Sequence, residues 1–308
     1  MQKLSNVIPI LVLFNSIDRI VNIRENLKKL STSFNQIVVV DNDLTGELEF
    51  YYQNISGVLY IHNANRGGLA GAYNTAIKYI ENNEFDVEYL IFLDDDTKLN
   101  DINFDEYLKR LIYIQRQNGA VAVTGRYRDV NSETYCNFVK LNTWFHKKVI
   151  SYGQPVQVTF IINSMSLWSY KDIINLGRFN EELMVDHVDS EMCLRASEMG
   201  YKILVDYSLV FNHEIGKRIK YNLFGYKLNS GNHGIMRRFL IGRGTAYMLR
   251  SRFLSWPAVS LFMAERVVYE ILGIIISEQN KSLKLKALIK GFFCGITIDY
   301  NKIKDSGK

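Results

Sequence analysis

The sequence predicts an α/β protein built on a mostly parallel sheet that helices cover on both sides. The first indication is that short apolar runs alternate with helical patterns through the first two hundred residues. The second is residues 89–97, where five apolar or aromatic residues lead directly into Asp94, Asp95 and Asp96. Such a run is typical of a strand buried on both faces, with the carboxylates at its C-terminal end. Open α/β sheets bind their ligands at that edge.

Composition and charge fit a globular chain with two unlike parts. The 308 residues are 47% hydrophobic and 22% charged, with a net charge of +5. Residues 215–308 contain 17 Lys and Arg but only 5 Asp and Glu, a net charge of +12, so residues 1–214 carry −7. A basic segment of this kind predicts contact with an anionic surface. The three Cys show no CxxC spacing, and no run of eighteen apolar residues predicts a membrane-spanning helix.

The elements are predicted from apolar periodicity, taken in chain order. Apolar runs before the aspartates predict strands over 7–14, 36–40, 58–61 and 89–93, and helical spacing predicts helices over 20–30 and from the glycine loop to Ile80. Beyond the aspartates, strands are expected over 120–124, 156–162 and 201–205, and helices over 104–115, 171–176 and from Asp189 or Ser190 to Gly200. At that last N-terminus the helix dipole favours an ionised Asp189.

The C-terminal segment predicts basic amphipathic helices over residues 217–308. Arg237, Arg238, Arg243, Arg250 and Arg252 recur in an apolar stretch, and four lysines follow between positions 281 and 290. These charges can simply face water, or the helices can lie on an anionic membrane or in a dimer.

Three consecutive aspartates predict a cation site. Adjacent carboxylates repel each other unless a cation neutralises them, and Mn²⁺ or Mg²⁺ would also bridge to substrate phosphates. The alternative is an acidic turn that binds nothing, because aspartate is common in turns. The position after a buried strand favours the metal.

A glycine loop precedes the second predicted helix. Gly67, Gly68 and Gly71 allow a backbone to pass close to a ligand, and a strand, glycine turn and helix together are typical of phosphate binding. Neither a GxGxxG nor a P-loop pattern is present, so this indication is weak by itself.

The order of these features resembles the family 2 glycosyltransferases with a GT-A fold. The order is a strand ending in Asp41, the 65–71 loop, the three aspartates, and Asp189-Ser190-Glu191 followed by His213. FLDDDTKL and the DxExCLR of 189–195 resemble bacterial rhamnosyltransferases, whereas the glycine loop is more similar to galactofuranosyltransferases. The resemblance implies a catalytic domain over 1–216, with a nucleotide-binding half (1–97) and an acceptor half (98–216).

The resemblance also implies roles for particular residues. Asp94, Asp96 and His213 would bind the metal, Asp189 would be the general base, and Asp41 would recognise a pyrimidine base. The remaining donor contacts would be Asn15, Asn65, Arg66, Gly67, Gly68, Asp94 and Asp95. Acceptor contacts would be Glu191, Trp144 and Trp168. For each Trp the simpler interpretation is packing in the core, and for Glu191 it is support of the neighbouring residues.

The implied function is metal-dependent, inverting transfer of rhamnose from a dTDP donor to a glycan or lipid-linked acceptor. The resemblance implies that this reaction is a step of cell-surface polysaccharide synthesis, carried out by a peripheral protein on the cytoplasmic face of the membrane. One alternative is a galactofuranosyltransferase using UDP-galactofuranose, and another is an inactive nucleotide-sugar-binding assembly subunit. The acidic catalytic half disfavours nucleic-acid binding.

Overall fold

The computed structural model describes residues 3–131, 133–151, 153–213, 219–223 and 226–298. Its strands are β1 (Val7–Leu13), β2 (Ile37–Asp41), β3 (Val58–His62), β4 (Tyr89–Asp94), β5 (Ala122–Asp129), β6 (Thr134–Tyr135), β7 (Phe138–Leu141), β8 (His146–Val149), β9 (Val156–Val158), β10 (Ser166–Ser169), β11 (Ile203–His213), β12 (Ile219–Leu223) and β13 (Tyr226–Ser230). Its α-helices are α1 (Ile20–Ser33), α2 (Glu49–Tyr52), α3 (Gly68–Asn82), α4 (Phe104–Asn118), α5 (Tyr170–Leu176), α6 (Val188–Glu198), α7 (Ile235–Arg252), α8 (Pro257–Ser277) and α9 (Lys281–Ile296).

The central sheet is mainly parallel, as predicted. Its order is β3-β2-β1-β4-β10-β5-β11-β9, with β6 paired to β5. The strands β1 to β4 pair in parallel, and β11 is parallel to β5, whereas β10 is antiparallel to both β4 and β5. The carboxyl ends of β1, β2, β4 and β11 therefore meet at one edge of the sheet.

The apolar strand runs are buried on both faces of the sheet. In β1, Ile10 packs in a cluster that includes Ile77 of α3, while the next residue, Leu11, packs in a second cluster with Leu27 of α1. Successive side chains of a strand point to opposite faces, so a strand covered on both sides must be apolar throughout. This requirement explains why the sequence predicts these strands well.

Some strand predictions were wrong in their extent. The predicted strand over 156–162 ends at Val158, and residues 161 and 162 instead line the ligand cleft. The predicted strand over 201–205 begins at Ile203 and continues to His213, with an irregularity between Asp206 and Val210. That extension carries His213 to the carboxyl edge of the sheet.

The C-terminal helices pack on the catalytic core. Tyr247 and Met248 of α7 belong to the same buried cluster as α3 and α6. Helices α7 and α9 approach closely through glycines, since a Cβ added to Gly291 would lie only 2.0 Å from the carbonyl oxygen of Phe239. No helix in the described ranges is long and apolar enough to cross a membrane.

Several basic side chains of this segment are used inside the protein. Arg238 is fully buried and bonds to Glu270 and Glu278, and Lys284 also bonds to Glu278, at 2.7 Å. Arg252 is 1% exposed. Only part of the positive charge of this segment is therefore available to an anionic surface, and the contact with such a surface stays a prediction.

Candidate active site

Three potential metal ligands meet at the carboxyl edge of the sheet. Asp94 ends β4, His213 ends β11, and their ligand atoms and that of Asp96 all lie within 4.8 Å of one another. His213 Nδ1 lies 3.9 Å from Asp96 Oδ1, is buried, and makes no hydrogen bond to any residue in the described ranges. Two carboxylates and an imidazole are ligands suited to Mn²⁺, and less closely to Mg²⁺. These residues thus fit the predicted cation.

Asp189 lies in the first turn of α6 and faces the same cleft. The backbone N–H of Asn163 donates to its Oδ2 at 3.3 Å, and its Oδ1 has no hydrogen-bond partner among the described residues. Burial, followed by the negative charge of Asp94, raises the pKa of Asp189 to about 7. Burial and the charge of Asp94 therefore outweigh the helix dipole, which was expected to favour the ionised form of Asp189. A carboxyl group poised near neutral pH suits a general base.

The cleft itself has a volume of about 560 Å³ and extends from the sheet edge to the C-terminal helices. Its wall includes Asp94, Asp189 and His213 on the sheet side. From the C-terminal segment it includes Gly231, His233, Arg237, Arg266, Tyr269 and Glu270. The sequence does not predict this contribution, because nothing local in the sequence relates these residues to the distant sheet edge.

The glycine loop is shaped by close backbone contacts. Gly67 and Gly68 have φ values of +66° and +62°, and a Cβ on Gly68 would lie 2.6 Å from the carbonyl oxygen of Met184. A Cβ on Gly71 would lie 1.9 Å from the carbonyl oxygen of Arg66. Side chains are excluded at these positions by the protein's own backbone, which positions the loop beside the segment that precedes α6.

Asparagine side chains link this loop to the end of β2. Asn42 donates to Asn65 Oδ1 at 3.1 Å, and Asn63 donates to Asn42 Oδ1 at 2.7 Å. Arg66 is exposed, and its Nε donates to the carbonyl oxygen of Asn63. Asn42 and Asn63 were not predicted as site residues. Each directly follows an observed strand, β2 or β3, and lies two positions after the end of a predicted strand, which was the available signal.

Asp41 ends β2 at the expected edge but is fully buried. Its carboxylate accepts hydrogen bonds from the hydroxyl of Tyr60 and from the backbone N–H of Asp43. Asp41 therefore holds Tyr60 and the 41–43 turn in place. The direct contact with a pyrimidine base that the resemblance implies stays a prediction.

Asp95 and Asn15 stabilise the turn after β1. Asp95 accepts hydrogen bonds from Ser16 and from the backbone N–H of Phe14, and forms an ion pair with Arg19 at 2.9 Å. These contacts give Asp95 a structural role in this turn, and its predicted donor contact stays a prediction. Asn15 has a φ of +49°, and its backbone N–H donates to Asp43.

The predicted acceptor contacts lie elsewhere. Trp168 is fully buried in β10, so it has no free face on which a sugar could stack. Glu191 is buried in ion pairs with Arg195 at 2.5 Å and Arg252 at 3.4 Å, and these cations outweigh burial and lower its pKa. Trp144 is 64% exposed at the tip of the β7–β8 hairpin and does not line the cleft. The acceptor predictions for Trp168 and Glu191 are therefore wrong.

Comparison with known proteins identifies the family. The family described as Glycosyl transferase family 2 matches residues 10–176, which is more than half of the chain and includes β1 to α5. The chain belongs to glycosyltransferase family 2. This membership confirms the recognition made from the sequence motifs and shows that the protein is a glycosyltransferase.

Individual relatives agree with the family assignment. The chain is 28% identical over 301 residues to the dTDP-rhamnosyl transferase RfbF of Shigella flexneri, covering 95% of this chain and 96% of the relative. The crystal structure of S. aureus TarS superposes with a TM-score of 0.50 and 16% identity over 91% of this chain and 45% of TarS. GalNAc-T7 with UDP, GalNAc and Mn²⁺ also gives a TM-score of 0.50, with 14% identity over 90% of this chain and 57% of that protein.

The structural likeness confirms the GT-A fold. The chain spans about half the length of these two proteins. Because their sequence identity to it is low, the likeness shows a common fold. The matched family region ends at Leu176, before Asp189 and His213.

Proposed function

We propose that this glycosyltransferase transfers rhamnose from dTDP-rhamnose, with inversion, to a glycan or lipid-linked acceptor. The observation that carries the proposal is a cleft lined by Asp189, Asp94 and His213, the last two of which form the potential metal site with Asp96. The donor is suggested by the full-length relationship to a dTDP-rhamnosyl transferase. Residues 1–97 would contribute most of the donor site, and residues 98–216 together with α7 and α8 would enclose the acceptor.

The reaction is a single displacement at the anomeric carbon. The acceptor hydroxyl oxygen attacks that carbon while the bond to the diphosphate oxygen breaks, so the configuration inverts. Asp189 accepts the hydroxyl proton, and its pKa of about 7 lets it be ionised near neutral pH and still basic. When bound by Asp94, Asp96 and His213, Mn²⁺ or Mg²⁺ would stabilise the charge of the leaving diphosphate.

A panel of nucleotide sugars tests the donor. We expect dTDP-rhamnose with Mn²⁺ to raise the melting temperature most, since a ligand that binds only the native state stabilises it. Nucleotide release should then depend on both dTDP-rhamnose and metal. UDP-galactofuranose is the second candidate, because the glycine loop resembles that of enzymes that use this donor. Preferential turnover of UDP-galactofuranose would replace dTDP-rhamnose as the proposed donor. Turnover of purine-nucleotide sugars alone would contradict both.

An inactive assembly subunit is the other functional class. It would bind a nucleotide sugar without turning it over. The base and the metal ligands are all present and face one cleft, which favours catalysis. Release of dTDP from dTDP-rhamnose in the presence of acceptor, or slow hydrolysis without it, distinguishes the enzyme from such a subunit.

A membrane contact is proposed at one end of the molecule, which we call the hydrophobic end. It comprises exposed apolar residues on two adjacent turns, between 63% and 88% exposed: Trp144, Phe145, Phe253 and Leu254. The turns are joined because Trp256 donates to the carbonyl oxygen of Asn142, at 2.6 Å. The exposed Lys147 and Lys148 flank them.

Helix α9 extends this surface. Arg250 donates to the carbonyl oxygen of Ile296 at 2.6 Å, which places the end of α9 beside the end of α7. Phe293 and Ile289 are more than half exposed, next to the exposed Lys290. Apolar side chains with adjacent lysines suit the surface of an anionic membrane, where a lipid-linked acceptor and a cytoplasmic donor would meet. A homodimer through the same surface is the alternative.

A further inference from the structure

The C-terminal wall of the cleft carries a cation that forms no direct ion pair among the described residues. Glu270 faces the cleft but bonds to the buried Arg238, and Asp186 is paired with Arg237, Nε to Oδ2 at 3.4 Å. Arg266 also lines the cleft and is half-buried, yet it forms no ion pair or hydrogen bond within the described ranges. A partly desolvated guanidinium with unused hydrogen-bond donors and no direct ion pair is costly unless a ligand accepts from it.

His187 adds a buried polar atom to the same wall. Its Nε2 lies 2.9 Å from Thr245 Oγ1, and its Cδ2 edge faces Gly244, so the Nε2 side of the ring is directed at α7. Nδ1 lies on the opposite side of the ring and has no partner among the described residues, although His187 is only 5% exposed. If Thr245 donates to Nε2, then Nδ1 carries the proton and can donate to a ligand.

Arg237 is the third side chain of this wall that can bind an anion, and some of its N–H donors are unused. Its side chain is 49% exposed, and only Nε and Nη2 approach Asp186, at 3.4 Å. Asp186 is itself 6% exposed, so the pair fixes the guanidinium at the cleft rather than leaving it in solvent. Planar guanidinium groups bind phosphate oxygens through two parallel hydrogen bonds.

We propose that Arg266 and Arg237, together with the Nδ1 of His187, bind a diphosphate group of a ligand in this cleft. The inference rests on the proposed function for the identity of the ligand. The diphosphate can belong to the nucleotide donor or to the lipid carrier of the acceptor. Either source supplies oxygens that can accept hydrogen bonds from Arg266.

Binding measurements with charged and neutral probes test the site. The donor probe is dTDP with Mn²⁺, and its neutral counterpart is thymidine. The acceptor probe is geranyl diphosphate in EDTA, with geraniol as its counterpart. Arg266→Gln should weaken binding of at least one diphosphate by about tenfold or more, as expected for loss of charge-assisted hydrogen bonds, and leave its neutral counterpart unchanged. Arg266→Lys should give an intermediate loss, because it retains charge without the planar fork.

The matched control is Arg116→Gln. Arg116 is exposed on α4 and pairs with Glu88 beside the start of β4, at the edge of the sheet opposite to the cleft. A loss confined to dTDP assigns the site to the donor, and a loss confined to geranyl diphosphate assigns it to the acceptor. The melting temperature of Arg266→Gln should fall little, because Arg266 forms no direct ion pair in the described residues and acts on Asp186 only through its charge.

Three results would overturn the inference. They are unchanged affinity for both diphosphates in Arg266→Gln, equal losses in Arg116→Gln, and failure of the wild-type protein to bind either diphosphate. Parallel measurement of dTDP-rhamnose turnover separates this site from the proposed function. Normal wild-type turnover with unchanged affinities rejects the diphosphate site alone, whereas absent turnover with intact diphosphate binding rejects the function.

Discussion

The three consecutive aspartates have different environments. Asp94 and Asp96 face the cleft with His213, whereas Asp95 points to the turn after β1 and bonds to Ser16. Asp94 is the last residue of β4, and Asp95 and Asp96 lie in the turn that follows, where the backbone N–H of Thr97 donates to the carbonyl oxygen of Asp94 at 3.1 Å. The change from strand to turn after Asp94 gives the three adjacent carboxylates different directions.

Removing a metal ligand should abolish metal binding while the fold persists. Mn²⁺ is expected to raise the melting temperature of the wild-type protein, and Asp96→Ala or His213→Ala should eliminate that rise, because each removes one of three ligands. Thermal unfolding with and without Mn²⁺ measures the effect. Asp86→Asn, an exposed carboxylate near the start of β4, is the control. Full stabilisation of Asp96→Ala, or full activity in EDTA, would contradict the metal site.

The raised pKa of Asp189 predicts a pH-dependent loss of stability. Its pKa is about 7 when folded and lies near 4 in an unfolded chain, so the unfolded state releases the proton first. The contribution to stability is complete below about pH 4 and is lost as the pH rises to about 7. Metal-free Asp189→Asn should therefore be more stable than wild type at pH 8 but not at pH 4. Urea unfolding at both pH values measures the difference. Equal stability of the variant and the wild-type protein at pH 8 would contradict a buried carboxyl group with a raised pKa.

At the scale of elements, the link between α6 and α7 depends on a buried ion cluster. Arg252 on α7 pairs with Glu198 at 2.8 Å and with Glu191 at 3.4 Å, both on α6. Arg252→Ala should lower the free energy of unfolding by about 1.5–3 kcal/mol, because it removes charge-assisted hydrogen bonds to Glu198 and Glu191, while Glu191 keeps its ion pair with Arg195. Arg116→Ala, which breaks the exposed pair with Glu88, should cost about 0–1 kcal/mol. Chemical denaturation compares the two, and similar small losses would show that the cluster is not structural.

Elements defined by local pattern were predictable, and contacts between distant segments were not. The apolar run of residues 89–93 in β4 is easily predicted as a strand, because a strand buried on both faces must be apolar at every position. The central strand β10, with sequence SLWS, is only four residues long and contains two serines, so it lacks that pattern. Arg252 and Glu191 are 61 positions apart. No local periodicity relates such residues, so a cation in a structural pair looks the same in sequence as one facing a membrane.

At the scale of the whole molecule, membrane binding should depend on the hydrophobic end. Deleting residues from Lys281 onward would uncover α7, which α9 contacts through glycines, so point substitutions are the better test. Trp144→Ser combined with Leu254→Ser should reduce sedimentation with anionic vesicles, because both side chains are more than 60% exposed and available to the lipid interface. Tyr113→Ser, an exposed aromatic on α4, should have no effect.

Salt and lipid composition provide the control for that experiment. Binding of the wild-type protein should rise with anionic lipid and fall with salt, as expected if basic residues near the surface contribute about 1 kcal/mol each. Equal recovery in the supernatant at every composition would contradict the membrane contact. A concentration-dependent dimer that the same double substitution disrupts would then identify the surface as a subunit interface.

The most direct test of the proposed mechanism is dTDP-rhamnose turnover by Asp189→Asn with acceptor and Mn²⁺, compared with wild type and Asp86→Asn. The amide keeps the shape of the side chain but cannot accept the proton. The proposal predicts a kcat lower by roughly 10²–10⁴ with donor affinity nearly unchanged, the usual magnitude for loss of a general base. Collapse of donor binding with normal turnover of the bound donor would contradict it, and would make Asp189 a donor or metal contact and Asp186 the next candidate base.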